Sequence, residues 1–516
     1  MKRLLAILLA ASTAASSGAA ANLQTAAPVV AAAPAALDNE VFYQIFTRSM
    51  RDSNGDRQGD LRGIQQSLPY LRRLGVTSIL LTPIQPSPFY HNYFPDKPQG
   101  IDPAYGTMAD FRALARAIHA RGMKLYLDEE FQYVTYDHPW FRSALGNPRS
   151  PYSGFFFFHG PDNTKPESAV FGLTIAPGFP GIDVGITTVN MNAPAFKTWA
   201  ADYLMSWVDP NHDGDLSDGV DGFRLDHMMD DLDNKHIDTN LFDRFWKPTF
   251  AKLRKTNPRL KFIAEQWDWG YGGDYLRRAG VNAVFDFPLA GAIRSFDKAK
   301  IVDAIEKTAA AVPAGKHELV FIENHDMPRT ASDAGMTPEK LRTAATLSLL
   351  LKGTPLIYYG QELGMRGKPR NEYKSDEKDI GDREAFEWSA RTEAPGQANW
   401  YRGPKSYWTE RFAKDNDGIS VAEEDRDPGS LLNHYRRLLK LRAANPAVRS
   451  GDQQVLPTAH DILAVERSGS GQHLLIVANL SSLAADYAVS GHDLLSGNRV
   501  RGHLHLQPYQ ATVIRR

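Results

Sequence analysis

The sequence predicts an α/β protein built on a (β/α)8 TIM barrel, with a small subdomain inserted after the third strand and an all-β sandwich at the C terminus. Three observations carry that expectation. From residue 41 onward, short β-rich apolar runs alternate with longer amphipathic stretches, the pattern of a parallel sheet covered by helices. Eight such runs occur before residue 360, and eight β/α units close most economically into a barrel. Beyond about residue 450 the pattern changes to short alternating runs separated by Gly and Ser, which suits packed antiparallel sheets.

Met1-Lys2-Arg3, the apolar run Leu4 to Ala11 and the small residues ending Ala19-Ala20-Ala21 follow the order of a secretory signal peptide. Residues 1–21 are therefore expected to direct export, to the periplasm or the medium. Residues 22–38, rich in Ala and Pro, read as a linker. Strands are expected at Val41 to Phe46, Thr77 to Leu81, Lys124 to Asp128, Gly222 to Asp226, Leu260 to Glu265, Ala283 to Phe287, Leu319 to Glu323 and Pro355 to Tyr359. Amphipathic spacing places helices at Leu61 to Leu74, Ala109 to Arg121, Ala195 to Val208, Ile301 to Val312 and Pro338 to Leu351. Residues 129–194, rich in Pro, Gly, Phe and Asn, are far longer than a connecting loop and form the inserted subdomain. A second polar insertion spans residues 363–428, and a helix at Leu431 to Arg442 closes the barrel. The barrel thus comprises residues 39–128 and 195–445. Residues 446–516, with alternating runs at Ile462 to Val465, Leu474 to Ala478 and Ala511 to Ile514, form the sandwich.

Composition narrows the function. The chain holds 59 Lys and Arg against 60 Asp and Glu, a formal net charge of -1, so no global positive field exists to hold nucleic acid or an anionic membrane. An uncharged substrate fits that balance. The absence of cysteine excludes disulfides, thiolate metal sites and cysteine nucleophiles. After the N-terminal run no segment is apolar enough to span a bilayer. Charge is nevertheless locally lopsided: nine aspartates and one basic side chain, Arg224, lie between Asp209 and Asp233.

Barrel chemistry belongs at the C-terminal ends of the strands. Gly-Phe-Arg224-Leu-Asp226 ends the fourth strand, Phe-Ile-Ala-Glu265 the fifth, and Phe-Ile-Glu-Asn324-His325-Asp326 the seventh. Taken singly, the first could be a structural salt bridge and the last a helix cap. Together they bring three carboxylates, an arginine and a histidine to one mouth, a set suited to cleaving a glycosidic bond. Retaining cleavage needs a carboxylate nucleophile about 5–5.5 Å from a carboxylic acid that protonates the leaving oxygen. Arg224, two residues before Asp226, shares its side of the strand and would keep that carboxylate ionised.

On these segments the chain resembles the alpha-amylase superfamily, glycoside hydrolase family 13, over roughly residues 41–516. The resemblance implies Asp226 as nucleophile, Glu265 as general acid/base and Asp326 as transition-state stabiliser. It implies substrate contacts from Arg224, His325 and Asn324. Tyr90-His91-Asn92-Tyr93 is similar to a Tyr-His-Gly-Tyr segment after the second strand, which makes Tyr93 a platform under the sugar and places His91 beside it. At the third strand the family's Asp-x-x-x-Asn-His becomes Asp128-Glu-Glu-Phe-Gln132-Tyr133. The family's asparagine binds a calcium shared with the inserted subdomain, and its histidine touches the sugar. Gln132 puts that calcium in doubt, and Tyr133 is left as the substitute sugar contact. The Asp226-His227-Met228-Met229 context matches neither the α-1,4 nor the α-1,6 signature.

Two further runs have metal-ligand spacing. Asp52, Asn54, Asp56, Gln58 and Asp60 alternate around glycines, as a hard-cation loop requires, and oligo-1,6-glucosidase-like members bind calcium with such a loop. Asp209, Asn211, Asp213, Asp215 and Asp218 repeat the pattern before the fourth strand. Oxygen-only donors favour Ca2+. The expected protein is an exported retaining hydrolase of α-glucosidic bonds, α-1,4 first, in starch-like glucans or malto-oligosaccharides. Its rivals are an exo-acting α-glucosidase or glucosyltransferase of the same family, and a non-catalytic carbohydrate-binding protein on this fold. Glu265 must begin protonated, so its pKa is expected to be raised by burial and by Asp226 and Asp326. Trp267, Trp269, Tyr136 and Trp140 are candidates to stack on sugars.

Overall fold

Phe42, Leu80, Tyr126, Ile263, Phe285, Leu319 and Leu356 form one buried cluster, and each sits on a different parallel strand. They are the inward side of eight strands: β1 (Phe42–Ile45), β2 (Ser78–Leu81), β3 (Lys124–Glu129), β4 (Gly222–Met228), β5 (Lys261–Gln266), β6 (Ala283–Phe285), β7 (His317–Val320) and β8 (Thr354–Tyr358). Consecutive strands pair in parallel and β8 pairs with β1, closing the barrel. The alternate residues, Tyr43, Ile79, Leu81, Leu125 and Leu127 among them, join the larger core under the helices, as the two-residue period of a strand dictates. Burying each such side chain stabilises by about 1.5–3 kcal/mol. Gly222 holds the corresponding inward position of β4, opposite Tyr126, without a side chain. A Cβ there would meet Tyr126 Cε1 at 2.7 Å and the Lys261 carbonyl oxygen at 2.2 Å, so the tyrosine ring takes the space.

The computed structural model describes residues 37–178, 181–372, 375–402 and 411–516. The expected signal peptide and the linker up to residue 36 lie outside them. At residues 37–38 the linker reading is corrected: Leu37–Asn39 form a 3-10 turn and Leu37 is buried in the barrel's interior cluster. Expected strands six and seven also shift. β6 stops at Phe285 because Asp286 caps the helix Phe287–Ser295, accepting from Leu289 N–H, and β7 begins two residues early at His317.

Local signals explain the helices. Leu61–Leu74 starts where Asp60 accepts the Gly63 N–H and stops where Gly75 turns left-handed at φ 108°. Met108–His119 opens on a capping box between Thr107 and Asp110. The inserted subdomain is a three-stranded antiparallel sheet, Ile175–Gly178, Ile182–Thr188 and Tyr133–Thr135, beside the short helix Pro139–Ala144. The insertion after β8 holds the 3-10 turns Gln361–Leu363 and Ser375–Arg383 and the helix Val421–Glu424.

C-terminally, six strands form one antiparallel sheet and Ala485–Ala488 pairs with His503–Leu506 in a second. Ile462, Ala464, Leu475 and Val477 of the large sheet pack toward the small one with Leu504 and Leu506. Leu463, Val465, Leu474 and Ile476 on its opposite face belong to the barrel's core. Among the described residues no helix is long and apolar enough to cross a membrane.

Candidate active site

Arg224 organises the barrel mouth. It is fully buried, and its Nη1 donates to Asp128 Oδ1 on β3 at 2.7 Å and to Asp226 Oδ1 on its own strand. Nη2 lies 2.8 Å from Glu265 Oε2 on β5. One guanidinium thus gathers carboxylates from three neighbouring strands. Glu265 is further bound by the His227 backbone N–H at Oε2 (3.1 Å) and the Trp269 indole N–H at Oε1 (3.3 Å).

The same groups drive the two carboxyls apart electrostatically. Burial, then the charges of Asp226 and Asp326, outweigh Arg224 and push Glu265 up to about 8. Partial burial raises the Asp226 pKa, but Arg224 and a hydrogen bond from Glu130 win and hold it below the usual value. Burial pushes Asp128 up to about 7.

Opposite them, Asp326 follows β7, and its Oδ1 accepts from Arg383 Nη2 at 3.1 Å while Oδ2 lies 3.1 Å from His325 Nε2. Burial lowers the His325 pKa to about 4, so the ring is neutral at pH 7. Its Nδ1 receives the Gln44 side-chain amide at 3.1 Å, which leaves the proton on Nε2, 2.6 Å from the Tyr93 hydroxyl oxygen. Tyr93 lies parallel to this imidazole at 5.4 Å between centroids and donates its hydroxyl to Asp128 Oδ2 at 2.7 Å. Tyr93 therefore belongs to the carboxylate cluster as well as to the floor. His91 lies under it, stacked on Phe89, and its Nδ1 accepts the Tyr93 N–H at 3.0 Å. Asn324 is buried and its Oδ1 accepts the Asp326 N–H at 3.0 Å; it shapes the turn that presents Asp326.

At the third strand end the expectation for Tyr133 is corrected, while the placement of Gln132 agrees with the doubt over a shared calcium. The Tyr133 hydroxyl donates to Asp233 Oδ1 at 2.5 Å and its ring is buried, so it braces the loop after β4 rather than facing a sugar. Gln132 donates from Nε2 to the carbonyls of Asp226 (2.7 Å) and His227 (3.0 Å). N–H donors thus stand where the family holds a calcium-bound amide. Of the stacking candidates, Trp140 is buried among Trp199 and Phe155 and Tyr136 stacks on Phe141. Trp267 and Trp269 are 48% and 40% exposed beside Glu265.

Sequence reasoning missed Glu130, Arg383 and Gln44. Glu130 had a signal, since it stands two residues after Asp128 and shares its side of the strand. Arg383 lies in an insertion without hydrophobic period, and nothing local marks it.

The proposed metal loops separate. In the first, Asp52 Oδ1 accepts the Asn54 and Gly55 N–H, Asn54 Oδ1 accepts Asp56 N–H, and Asp56 Oδ1 accepts Gln58 N–H. Asp60 holds Ser53 and caps the next helix. These side-chain oxygens thus accept the loop's own backbone N–H groups, and the Asn54 amide donates to Asp56. Gln58 is the exception, because its side-chain oxygen accepts from Arg48. In the second loop Asp209 accepts from Asp213 and Gly214 N–H, Asp215 binds Ser217, and the Asn211 amide donates to Asp213. Asp218 is corrected: its Oδ2 accepts from Arg112 (2.8 Å) and Arg116 (2.7 Å), which neutralise it. Among the described residues no three Asp, Glu, His or Cys side chains converge as a preformed metal site.

A buried arginine joining three carboxylates at the C-terminal mouth of a (β/α)8 barrel, with one carboxyl kept protonated and a second kept ionised, defines a carboxylate glycoside hydrolase. Comparison with known proteins gives the family. The alpha-amylase catalytic domain model matches residues 44–176 and 184–451, and the chain belongs to that family, whose members act on α-glucosidic bonds. It is 28% identical to alpha-amylase 3 of Dictyoglomus thermophilum, over 92% of this chain and 93% of that one. It is 28% identical to 4-alpha-glucanotransferase of Thermotoga maritima, over 86% and 96% respectively. The solved alpha-amylase of H. orenii superposes with a TM-score of 0.77 at 28% identity, covering 92% of this chain and 99% of that one.

Proposed function

We propose that the protein hydrolyses α-1,4 bonds in starch-like glucans or malto-oligosaccharides by double displacement. Asp226 attacks the anomeric carbon while the bond to the leaving oxygen breaks and Glu265 gives that oxygen its proton. Water then attacks the same carbon, Glu265 takes the water's proton, and the Asp226 ester bond breaks to release the sugar. The observation that carries this reading is the shared Arg224 guanidinium, which keeps the two carboxyls close. A guanidinium shared by the two carboxyls suits the ~5–5.5 Å span of a retaining enzyme. Arg383 and His325 hold Asp326 facing the reacting carbon, where its negative charge favours a positive oxocarbenium-like transition state.

A second reading is transfer to a sugar hydroxyl in place of water, favoured by the glucanotransferase among the relatives; the same ester intermediate serves both. The test is a time course of product sizes from a linear α-1,4 glucan and from maltotriose, run with wild type, Asp226→Asn and Glu265→Gln. Hydrolysis predicts only shorter products, with both variants reduced by a factor of about 10³ or more. Products longer than the substrate overturn hydrolysis in favour of transfer, and an Asp226→Asn enzyme of wild-type activity overturns the mechanism.

The same proposal includes calcium at residues 52–60. Asp52, Asn54, Asp56 and Asp60 would hold it, and its support is a run of hard oxygen donors alternating in a loop with Asp52 and Asp60 buried. The ion supplies positive charge that ties the loop together; none of the reaction steps passes through it.

A further inference from the structure

β3 and β4 run in register, Asp128 opposite Arg224 and Glu129 opposite Leu225. One step further Glu130 comes beside Asp226, which brings the two carboxyl groups within hydrogen-bonding reach. Alternation explains the placement. Tyr126 and Asp128 face into the barrel, whereas Glu129 faces outward to Gln85 (2.5 Å) and the Tyr203 hydroxyl (3.0 Å). Glu130 then turns inward again. It is 5% exposed, and its Oε1 accepts the Gln132 N–H. The Gln132 amide, by donating to the Asp226 and His227 carbonyls, fastens this segment to the strand that carries Asp226. An ordinary buried structural acid would need none of this convergence on the reacting carboxylate.

Two carboxyls in contact, one buried and the other largely so, do not both ionise; they share one proton. Burial and then Asp226 push Glu130 well above the usual glutamate value, while Asp226 is held low by Arg224 and the Glu130 bond. The proton therefore sits on Glu130. Glu130 is faced by Asp226 and, from the loop after β4, by Asp233. Asp226 is faced by Arg224 and His227 on its own strand and by Glu265 on β5. Asp128 on β3, Tyr93, Tyr133 and His325 complete its surroundings. Of these only Arg224 and His227 bring positive charge, so a neutral donor at Glu130 is the other group that favours the Asp226 anion.

We infer that Glu130 is a positioning residue for the nucleophile: its carboxyl donates a hydrogen bond to Asp226 and fixes that carboxylate for attack. No proton leaves Glu130 during the reaction; when Asp226 becomes an ester, the same O–H remains its neighbour. The inference rests on Asp226 being the nucleophile.

The test is the pH profile of kcat/KM on maltotriose for wild type, Glu130→Gln and Glu130→Leu. Loss of the donor in Glu130→Leu raises the Asp226 pKa, so the acid limb moves up by roughly one pH unit, the size of one charge-assisted hydrogen bond. With that shift kcat falls by about tenfold and KM changes little. Glu130→Gln keeps an N–H donor and restores the acid limb to its wild-type place. If Glu130→Leu does not fold, Glu130→Asp, which withdraws the carboxyl by one methylene, carries the same expected shift. An acid limb unmoved in the Leu or Asp variant overturns the inference, as does a Gln variant displaced as far as either. If Asp226→Asn is inactive while the Glu130 variants keep the wild-type limb, this inference fails alone. An active Asp226→Asn enzyme instead removes the nucleophile assignment beneath it.

Discussion

Glu265 and Asp226 touch the same arginine, yet one is protonated at neutrality and the other is not. The difference is environmental. Glu265 feels burial plus the charges of Asp226 and Asp326, and these exceed what Arg224 returns; Asp226 has Arg224 and the Glu130 donor together. The pH dependence follows with a definite sign. Glu265 must carry its proton to act as acid, so kcat/KM is expected to fall as pH rises through about 8. Asp226 must be ionised, and its lowered pKa keeps it so until the pH falls below the ordinary aspartate value of 3.8. The two limbs belong to the coupled carboxyl cluster as a whole. A kcat/KM profile whose alkaline limb falls near 4.5, where an ordinary glutamate titrates, would count against a protonated Glu265. Residues at strand ends were legible in the sequence because strand, carboxylate and order along the chain are local patterns. Arg383 was not, because only the path of a long irregular insertion brings it to Asp326.

The loop between β1 and the helix Leu61–Leu74 shows how far a spacing pattern carries at the level of an element. Alternating Asp and Asn residues gave both candidate calcium loops similar spacing, and the resemblance favoured the first. What separates them lies far away in the chain: Arg112 and Arg116 on the helix Met108–His119 reach Asp218, and no sequence window contains both partners. Arg48 similarly takes the Gln58 side chain. Calcium bound to the first loop at a hundred times its Kd would stabilise the fold by about 2.7 kcal/mol. Thermal melts of wild type are therefore expected to show a Tm several degrees higher with calcium than with a chelator, and Asp56→Ala is expected to abolish the difference. A Tm indifferent to calcium, or a response that survives Asp56→Ala, would remove calcium from residues 52–60.

At the scale of the whole chain, the barrel and the C-terminal sheet were readable as separate patterns, but their junction was not. Leu474 to Ala478 was read as an alternating strand of the sandwich, whereas the structure covers both of its faces. Which face meets the barrel depends on register, and one residue of slip exchanges them. The structure shows Leu463, Val465 and then Arg467 in one row facing the barrel. Arg467 is fully buried there, and its Nη1, Nη2 and Nε donate to the carbonyls of Leu350 (2.8 Å), Gly451 (3.0 Å) and Asp452 (3.3 Å). Arg442 does the same for Leu349 (3.0 Å) and Gly353 (2.7 Å). Burial lowers Arg467 to about 10 and Arg442 to about 9, so both stay charged at pH 7. Two guanidinium groups thus satisfy the carbonyls around the end of the helix Pro338–Leu350, exactly where the sheet would otherwise seal unpaired acceptors in an apolar seam. Because one core spans the seam, barrel and sheet should unfold together. All nine tryptophans precede residue 410, so their fluorescence reports the barrel, while far-UV circular dichroism also reports the C-terminal sheet, and the two melts are expected to coincide. Arg467→Met keeps the apolar stem and strands the carbonyls, at a cost of about 3 kcal/mol, and should lower that common Tm by several degrees. An unchanged Tm in Arg467→Met, or a wild-type sheet that melts apart from the barrel, would mean that the seam does not couple the two.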